Sequence, residues 1–187
     1  MNFKETLGEK YKLSNSDWDF TIKCFVPESI NSKSYFLKEG NISNRLGVIK
    51  TGLFRSFIYD DNRNEITTHF FLPGTVVISI ESFNNKIPAT ENIIAIEDCE
   101  LLVISSEKMR ELYKIVPVWQ QICKDVAEIK NQALINRSIR FQTLSASERY
   151  KLFCKEFPEV IQKVALGHIA AYLGIDKATL SRIRKKY

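Results

Sequence analysis

The residues best suited to chemistry lie near the end of the chain, in the stretch Leu166-Gly-His-Ile-Ala-Ala-Tyr-Leu-Gly-Ile-Asp-Lys-Ala-Thr-Leu-Ser-Arg-Ile-Arg-Lys185. On a helix that begins after Asp176, the residues Lys177, Ser181, Arg182 and Lys185 share a polar, basic face, with Ala178 and Thr179 in the first turn. That chemistry is recognition of DNA. An arginine fork matches guanine O6 and N7, and a side-chain methyl fits the methyl of thymine. Arg182 is the candidate for guanine and Lys177 for guanine or phosphate, while the methyls of Ala178 and Thr179 suit thymine. Arg184, Lys185 and Lys186 suit phosphates. Read without a partner, the same residues are the solvated face of an ordinary helical hairpin.

Other chemistries find little support. The two histidines, His69 and His168, are far apart, and no G-x-S-x-G turn flanks either. His69 reads as a plain strand residue and His168 as a solvated or capping one. Cys24, Cys99, Cys123 and Cys154 are scattered without a C-x-x-C pair, so they read as reduced thiols, not as zinc or iron–sulfur ligands. The H-E-x-x-H and P-loop patterns are absent. No catalytic residue and no metal site is expected, and an enzyme is disfavoured.

The basic face needs elements that present it. Ile169, Ala170 and Leu173 give a first helix its inner face. Gly174 permits a left-handed turn, Ile175 plugs inward, and Asp176 caps the second helix, whose inner face is Leu180 and Ile183. Two helices joined in this way make a helix-turn-helix. Just upstream, Ser145-Ala-Ser-Glu148 is a capping box that opens a helix through Tyr150, Leu152 and Phe153, stopped by Pro158.

Before that box, Trp119, Ile122, Val126, Ile129, Ala133 and Asn136 recur at spacings of 3, 4, 3, 4 and 3. The pattern predicts a dimer seam of coiled-coil type, with Asn136 fixing its register. A second stripe, Cys123, Ala127 and Leu134, is available to face the body. The other reading is a helix packed on its own domain. Residues 33–105 carry short apolar runs broken by turns: Tyr35–Leu37, Leu46–Ile49, Leu53–Tyr59, Ile66–Leu72, Val76–Ile80, Ile93–Ile96 and Leu101–Ile104. They predict an antiparallel sandwich or roll, with Asp60–Asn64 as a hairpin connection. A short helix follows Ser106 and ends near Pro117. Residues 1–32 read as a helical lead-in anchored by Trp18, Phe20, Ile22 and Phe25 and ended by Pro27.

Charge follows the same division. The chain has 187 residues and a formal charge of +5. Residues 145–187 hold nine Lys and Arg against four Asp and Glu, so the whole excess sits there and the first 144 residues are balanced. A polyanion partner is expected for the basic segment alone. At 44% hydrophobic the chain can bury a core. No apolar run approaches the ~18 residues of a membrane span. The start mixes charges and lacks the apolar region of a signal peptide, so a cytoplasmic protein without a membrane partner is expected.

A lead-in helix, a β-roll, a long seam helix and a terminal helix-turn-helix, in this order, resemble the Crp/Fnr family of bacterial transcription regulators. Gly40, Gly52 and Gly74 look like the family's roll glycines, and Ile169, Gly174, Thr179, Leu180, Arg182 and Ile183 fit its helix-turn-helix pattern. The resemblance implies an α+β chain. Its roll would be a double-stranded β-helix, the jelly-roll-like cyclic-nucleotide-binding fold, followed by a dimerisation helix and a small DNA-binding domain. The divisions expected are 1–116, 117–142 and 143–187. Double-stranded DNA and a second copy of the chain are the partners implied, and RNA polymerase is a further one the resemblance admits. The family continues past its recognition helix into a further strand or helix, whereas this sequence ends at Tyr187, so reduced wing contacts are expected.

The family's effector pocket carries over poorly. Its ribose-binding Glu falls on Ser79, and its phosphate-binding Arg-Ser pair falls on Ala89 and Thr90. A buried phosphate needs a compensating cation or many N–H donors, and Glu81 and Glu91 nearby oppose it. Ser79, Ser82, Ala89 and Thr90 would still bound any effector cavity. No cofactor is assigned: a cyclic nucleotide is not expected, and another small molecule or none remains open. A roll filled by side chains such as Phe54, Phe71 and Phe83 would mean no effector. The rival reading is a small-molecule sensor that binds no DNA.

Overall fold

A computed structural model describes residues 10–186, where a helical end at residues 10–11 precedes helix α1 (Asn15–Cys24). A capping box starts it: the Ser14 hydroxyl accepts from the Asp17 N–H (3.1 Å), and the Asp17 carboxylate accepts from the Ser14 N–H (3.2 Å). The expected lead-in ends at Cys24, and its residues 1–9 lie outside the described residues. Pro27 does not end it. Pro27 sits inside strand β1 (Val26–Ile30), at the edge of its sheet, where a residue without an N–H is tolerated.

Seven more strands follow: β2 (Tyr35–Leu37), β3 (Arg45–Thr51), β4 (Phe54–Tyr59), β5 (Glu65–Phe71), β6 (Val76–Val77), β7 (Asn92–Ala95) and β8 (Cys99–Ser105). They form two antiparallel four-stranded sheets, in the orders β1-β8-β3-β6 and β2-β7-β4-β5. Alternation along the strands sorts the side chains. Ile49, Leu101 and Val103 point between the sheets, while Leu46, Val48 and Ile104 point out of the first sheet. Gly52 makes the β3–β4 turn at φ +91°, and a Cβ there would collide with the Cys99 sulfur and the Asp98 carbonyl. The Asp60–Asn64 connection is the hairpin expected: the Asp60 carboxylate accepts from the N–H groups of Asn62 (2.9 Å) and Asn64 (2.8 Å). The run Val76–Ile80 is not one strand. It divides into β6 and helix α2 (Ile80–Asn85), too short to leave a helical period in the sequence.

Helix α3 (Ser106–Ile115) leads to the 26-residue α4 (Val118–Thr143). The C-terminal helices are α5 (Ala146–Glu156), α6 (Pro158–Lys163), α7 (Leu166–Leu173) and α8 (Lys177–Arg184). The capping box of α5 forms as read: Ser145 Oγ accepts from the Glu148 N–H (3.3 Å), and the Glu148 carboxylate accepts from the Ser145 N–H (2.8 Å). Pro158 both stops α5 and starts α6, where its missing N–H costs nothing. Three cores result. One fills the space between the sheets. A second joins the outer face of the first sheet to α1, α3 and the start of α4. The third joins the C-terminal helices to Leu53 and Phe70 on the outer face of the second sheet.

Among the described residues no helix is long and apolar enough to cross a membrane, and no group of three or more His, Cys, Asp and Glu is set to hold a metal ion.

Candidate nucleic-acid interface and effector roll

Helices α7 and α8 meet through the turn the sequence predicts. Gly174 ends α7 at φ +65°, and the Ile175 N–H returns to the Ala170 carbonyl (3.1 Å). A Cβ at Gly174 would also meet Phe141 of α4 at 2.6 Å, so the position excludes side chains twice over. Asp176 caps α8: its carboxylate accepts from the Thr179 N–H and from the Thr179 hydroxyl, both at 2.7 Å. These bonds hold the Asp176 carboxyl below its ordinary range. The Thr179 oxygen in turn accepts from Arg182 Nη2 (3.3 Å). Leu180 and Ile183 are buried, whereas Lys177, Ala178, Arg182 and Lys185 are exposed and Thr179 and Ser181 are half-buried. The six candidate DNA contacts therefore lie together on or beside the solvent face of α8.

The roll is filled. Phe36, Phe54 and Phe71 occupy the space between the sheets with Ile49 and Ile93, and the Phe36 and Phe54 rings meet edge-on at 6.0 Å. Phe83 does not belong to this filling. It turns outward from α2 into the second core. Of the four candidate effector residues, Ala89 places its methyl in the roll core, and its backbone bonds to Gly40 (2.8 Å) and Asn41 (2.9 Å). Ser82 is engaged in holding its loop: its oxygen accepts from the Ser43 N–H (2.8 Å) and donates to the Ile87 carbonyl (2.6 Å). Ser79 is buried at the start of α2, and Thr90 is exposed. Under α4, Lys130 lies 4.9 Å over the Phe71 ring, and His69 meets the same ring at 4.7 Å. Burial first, then Lys130 and Arg137, push His69 down to about 4. Burial likewise pushes Lys130 down to about 8, against the pull of Glu91.

Residues 27–115 match the sequence family described as cyclic nucleotide-binding domain. Solved structures align over nearly the whole chain. The c-di-GMP-responsive global regulator CLP of Xanthomonas campestris has a TM-score of 0.72 at 15% identity, covering 92% of this chain and 91% of its own. FixK2 from Bradyrhizobium japonicum has a TM-score of 0.75 at 16% identity, covering 87% and 83%. A Eubacterium rectale chain assigned to the Crp/Fnr family of transcriptional regulators has a TM-score of 0.70 at 14% identity, covering 94% and 83%. The fold is that of the Crp/Fnr regulators. No curated protein matches the sequence.

Within this Crp/Fnr fold the seam read from the sequence divides in two. Trp119 and Ile122 are only 4% and 3% exposed and belong to the second core, so they face the chain's own body. Trp119 Nε1 donates to the Thr21 hydroxyl (2.9 Å), which ties α4 to α1. Val126 is half-buried, while Ile129, Ala133 and Asn136 are exposed. Of the stripe read as body-facing, Cys123 and Ala127 are half-buried but Leu134 is 56% exposed. An a/d spacing marks an apolar stripe without naming what covers it, and here the roll covers its first two turns.

The C-terminal helices dock on the roll of the Crp/Fnr fold, and the sequence gives no sign of it. Phe70 of β5 enters an aromatic cluster with Phe153, Phe157 and Tyr172. Arg137 Nη1 donates to the Thr68 carbonyl (2.9 Å) and Nη2 to the Tyr172 carbonyl (2.8 Å), so one side chain of α4 joins β5 to α7. Lys163 pairs with Glu97 (2.7 Å). His168 approaches Glu65 (3.8 Å), which also pairs with Arg55. The roll thus takes α7 and leaves α8 facing solvent.

Proposed function

We propose that the protein is a homodimeric, sequence-specific DNA-binding regulator of Crp/Fnr type whose roll does not take a cyclic nucleotide. One observation carries the reading: α8 presents Lys177, Arg182 and Lys185 to solvent, with Arg182 held through Thr179 and Asp176. A recognition helix needs its contacts exposed and in register when it enters a major groove. The positive excess of residues 145–187 supports attraction to phosphates.

Dimerisation is part of the proposal, along a seam shifted from the one the spacing suggests. Ile129, Gln132, Asn136 and Ile139 are exposed on α4 at spacings of 3, 4 and 3, with Ile135 beside them. Ile129 is 64% and Ile139 51% exposed, an apolar stripe that a monomer leaves in water. Two copies paired there would set two recognition helices about one helical turn, ~34 Å, apart, matching a palindromic site. In this reading residues 1–116 form the sensing unit, 117–142 the dimer helix and 143–187 the DNA-binding unit. The filled roll and the methyl of Ala89 support the loss of nucleotide binding. Binding to random DNA and to genomic fragments, compared at several salt concentrations, tests the proposal. A few tight sites are expected, and equal affinity for all sequences would overturn it.

A further inference from the structure

A cavity of 830 Å³ lies outside the roll, between the outer face of the first sheet, α1, α2 and the first turns of α4. Its size falls in the range of small-molecule sites, about 300–1,000 Å³. The walls are apolar and aromatic: Trp18, Phe25, Val48, Ile78, Phe83 and Trp119. The Thr21 hydroxyl in the wall is already taken by Trp119. Leu46 and Val48 of β3 line the cavity, and Lys50, at the bulge where β3 slips in register between Ile49 and Thr51, is the single exception, exposed at the rim. Lys50 is the one charged residue among the described lining residues, and no carboxylate stands with it. Asn84, also exposed, adds a neutral donor.

We propose that this cavity binds an amphipathic carboxylate of the fatty-acid class, with its chain among the aromatic residues and its head against Lys50. An apolar cavity gains from an apolar body, and a lone rim ammonium selects an anionic head. The site is distinct from the roll interior, which Phe54 and Phe71 occupy. Ile122, Val126 and Ala127 of α4 form one wall, so occupancy acts on the angle at which α4 leaves the roll. The inference does not rest on DNA binding, and its readout is occupancy of the cavity.

Trp18 and Trp119 are the chain's two tryptophans, and both line the cavity, so their emission reports its contents. The full chain is titrated with dodecanoate, dodecanol and dodecylammonium, each below its micelle concentration. Saturable change in emission is expected, with dodecanoate binding more tightly than dodecylammonium. Lys50→Ala should weaken dodecanoate about two- to fivefold, the worth of a rim ion pair, and leave dodecanol unchanged. Ala127→Phe, which narrows the cavity at its α4 wall, should weaken dodecanoate and dodecanol alike. Val126→Phe replaces it if thermal melting shows that Ala127→Phe does not fold. Emission that responds to no probe means that the chain or a second copy already fills the space, and overturns the proposal. Binding left unchanged by the folded wall variant places the ligand elsewhere and overturns it too. Equal binding of the two charged probes, with Lys50→Ala silent, overturns the carboxylate assignment.

Discussion

Arg182 is positioned before any partner arrives, because Asp176 holds Thr179 and Thr179 holds the guanidinium. On the proposed reading, Arg182→Ala loses about 1–3 kcal/mol of binding at the preferred site and relaxes specificity at one base pair. Lys186→Ala should instead weaken all sequences alike and lower the salt slope by about one. Competition binding against single-base variants of the site separates the two effects. A second residue-scale prediction concerns pH. His69 is held neutral by burial, at about 4 against an ordinary 6.5. Its folded value is the lower one, so the stability it contributes is complete above about 6.5 and is lost as the pH falls towards 4. His69→Gln should flatten that part of the curve in denaturant unfolding at a series of pH values. Lys130 has the same sign at higher pH: its contribution is complete above about 10.5 and lost by about 8, so at neutral pH its charge is held at a cost. Lys130→Met should therefore stabilise the fold by about 1–3 kcal/mol at neutral pH. The cap at Asp176 and the turn at Gly174 were legible in the sequence because each depends on near neighbours. That Ser82 is engaged in its own loop was not, since its partners Ser43 and Ile87 arrive from the fold.

Among the elements, α4 serves two surfaces at once. Its first turns are roll core and its later turns are open, so substitutions along it should differ in kind. On the proposed reading, Ile139→Glu should leave melting nearly unchanged and convert dimer to monomer. Trp119→Ala should cost about 3–5 kcal/mol of stability, because it opens the second core and leaves Thr21 without its donor. Sedimentation and thermal melting together distinguish the two. The same helix marks the limit of periodicity. Seven of the eight strands left readable apolar runs, because half-buried strands alternate. Strand β1 was hidden by Pro27, and α2 was hidden by its length of six residues. The seam was found as a stripe, but its owner was decided by where the roll sits.

Taken whole, the chain joins a charge-balanced roll and a basic terminal unit through α4. The two are packed together: Phe70 and Arg137 fix α7 against the roll, while α8 stays outside. Fold class and element order were largely legible from the chain, because each element carries its own caps and periods. This docking was not, because Phe70 reads as one more strand residue until the third core forms around it. The outer cavity was invisible for the same reason, as its walls come from α1, β3, α2 and α4. The central claim is selective DNA binding by the terminal unit of a dimer. The most direct test is selection of genomic fragments by the full chain, with affinities measured across a range of salt concentrations. The account predicts a few tight, palindromic sites with half-sites one helical turn apart and a steep fall of affinity with salt. Fragments bound no better than random DNA would contradict it.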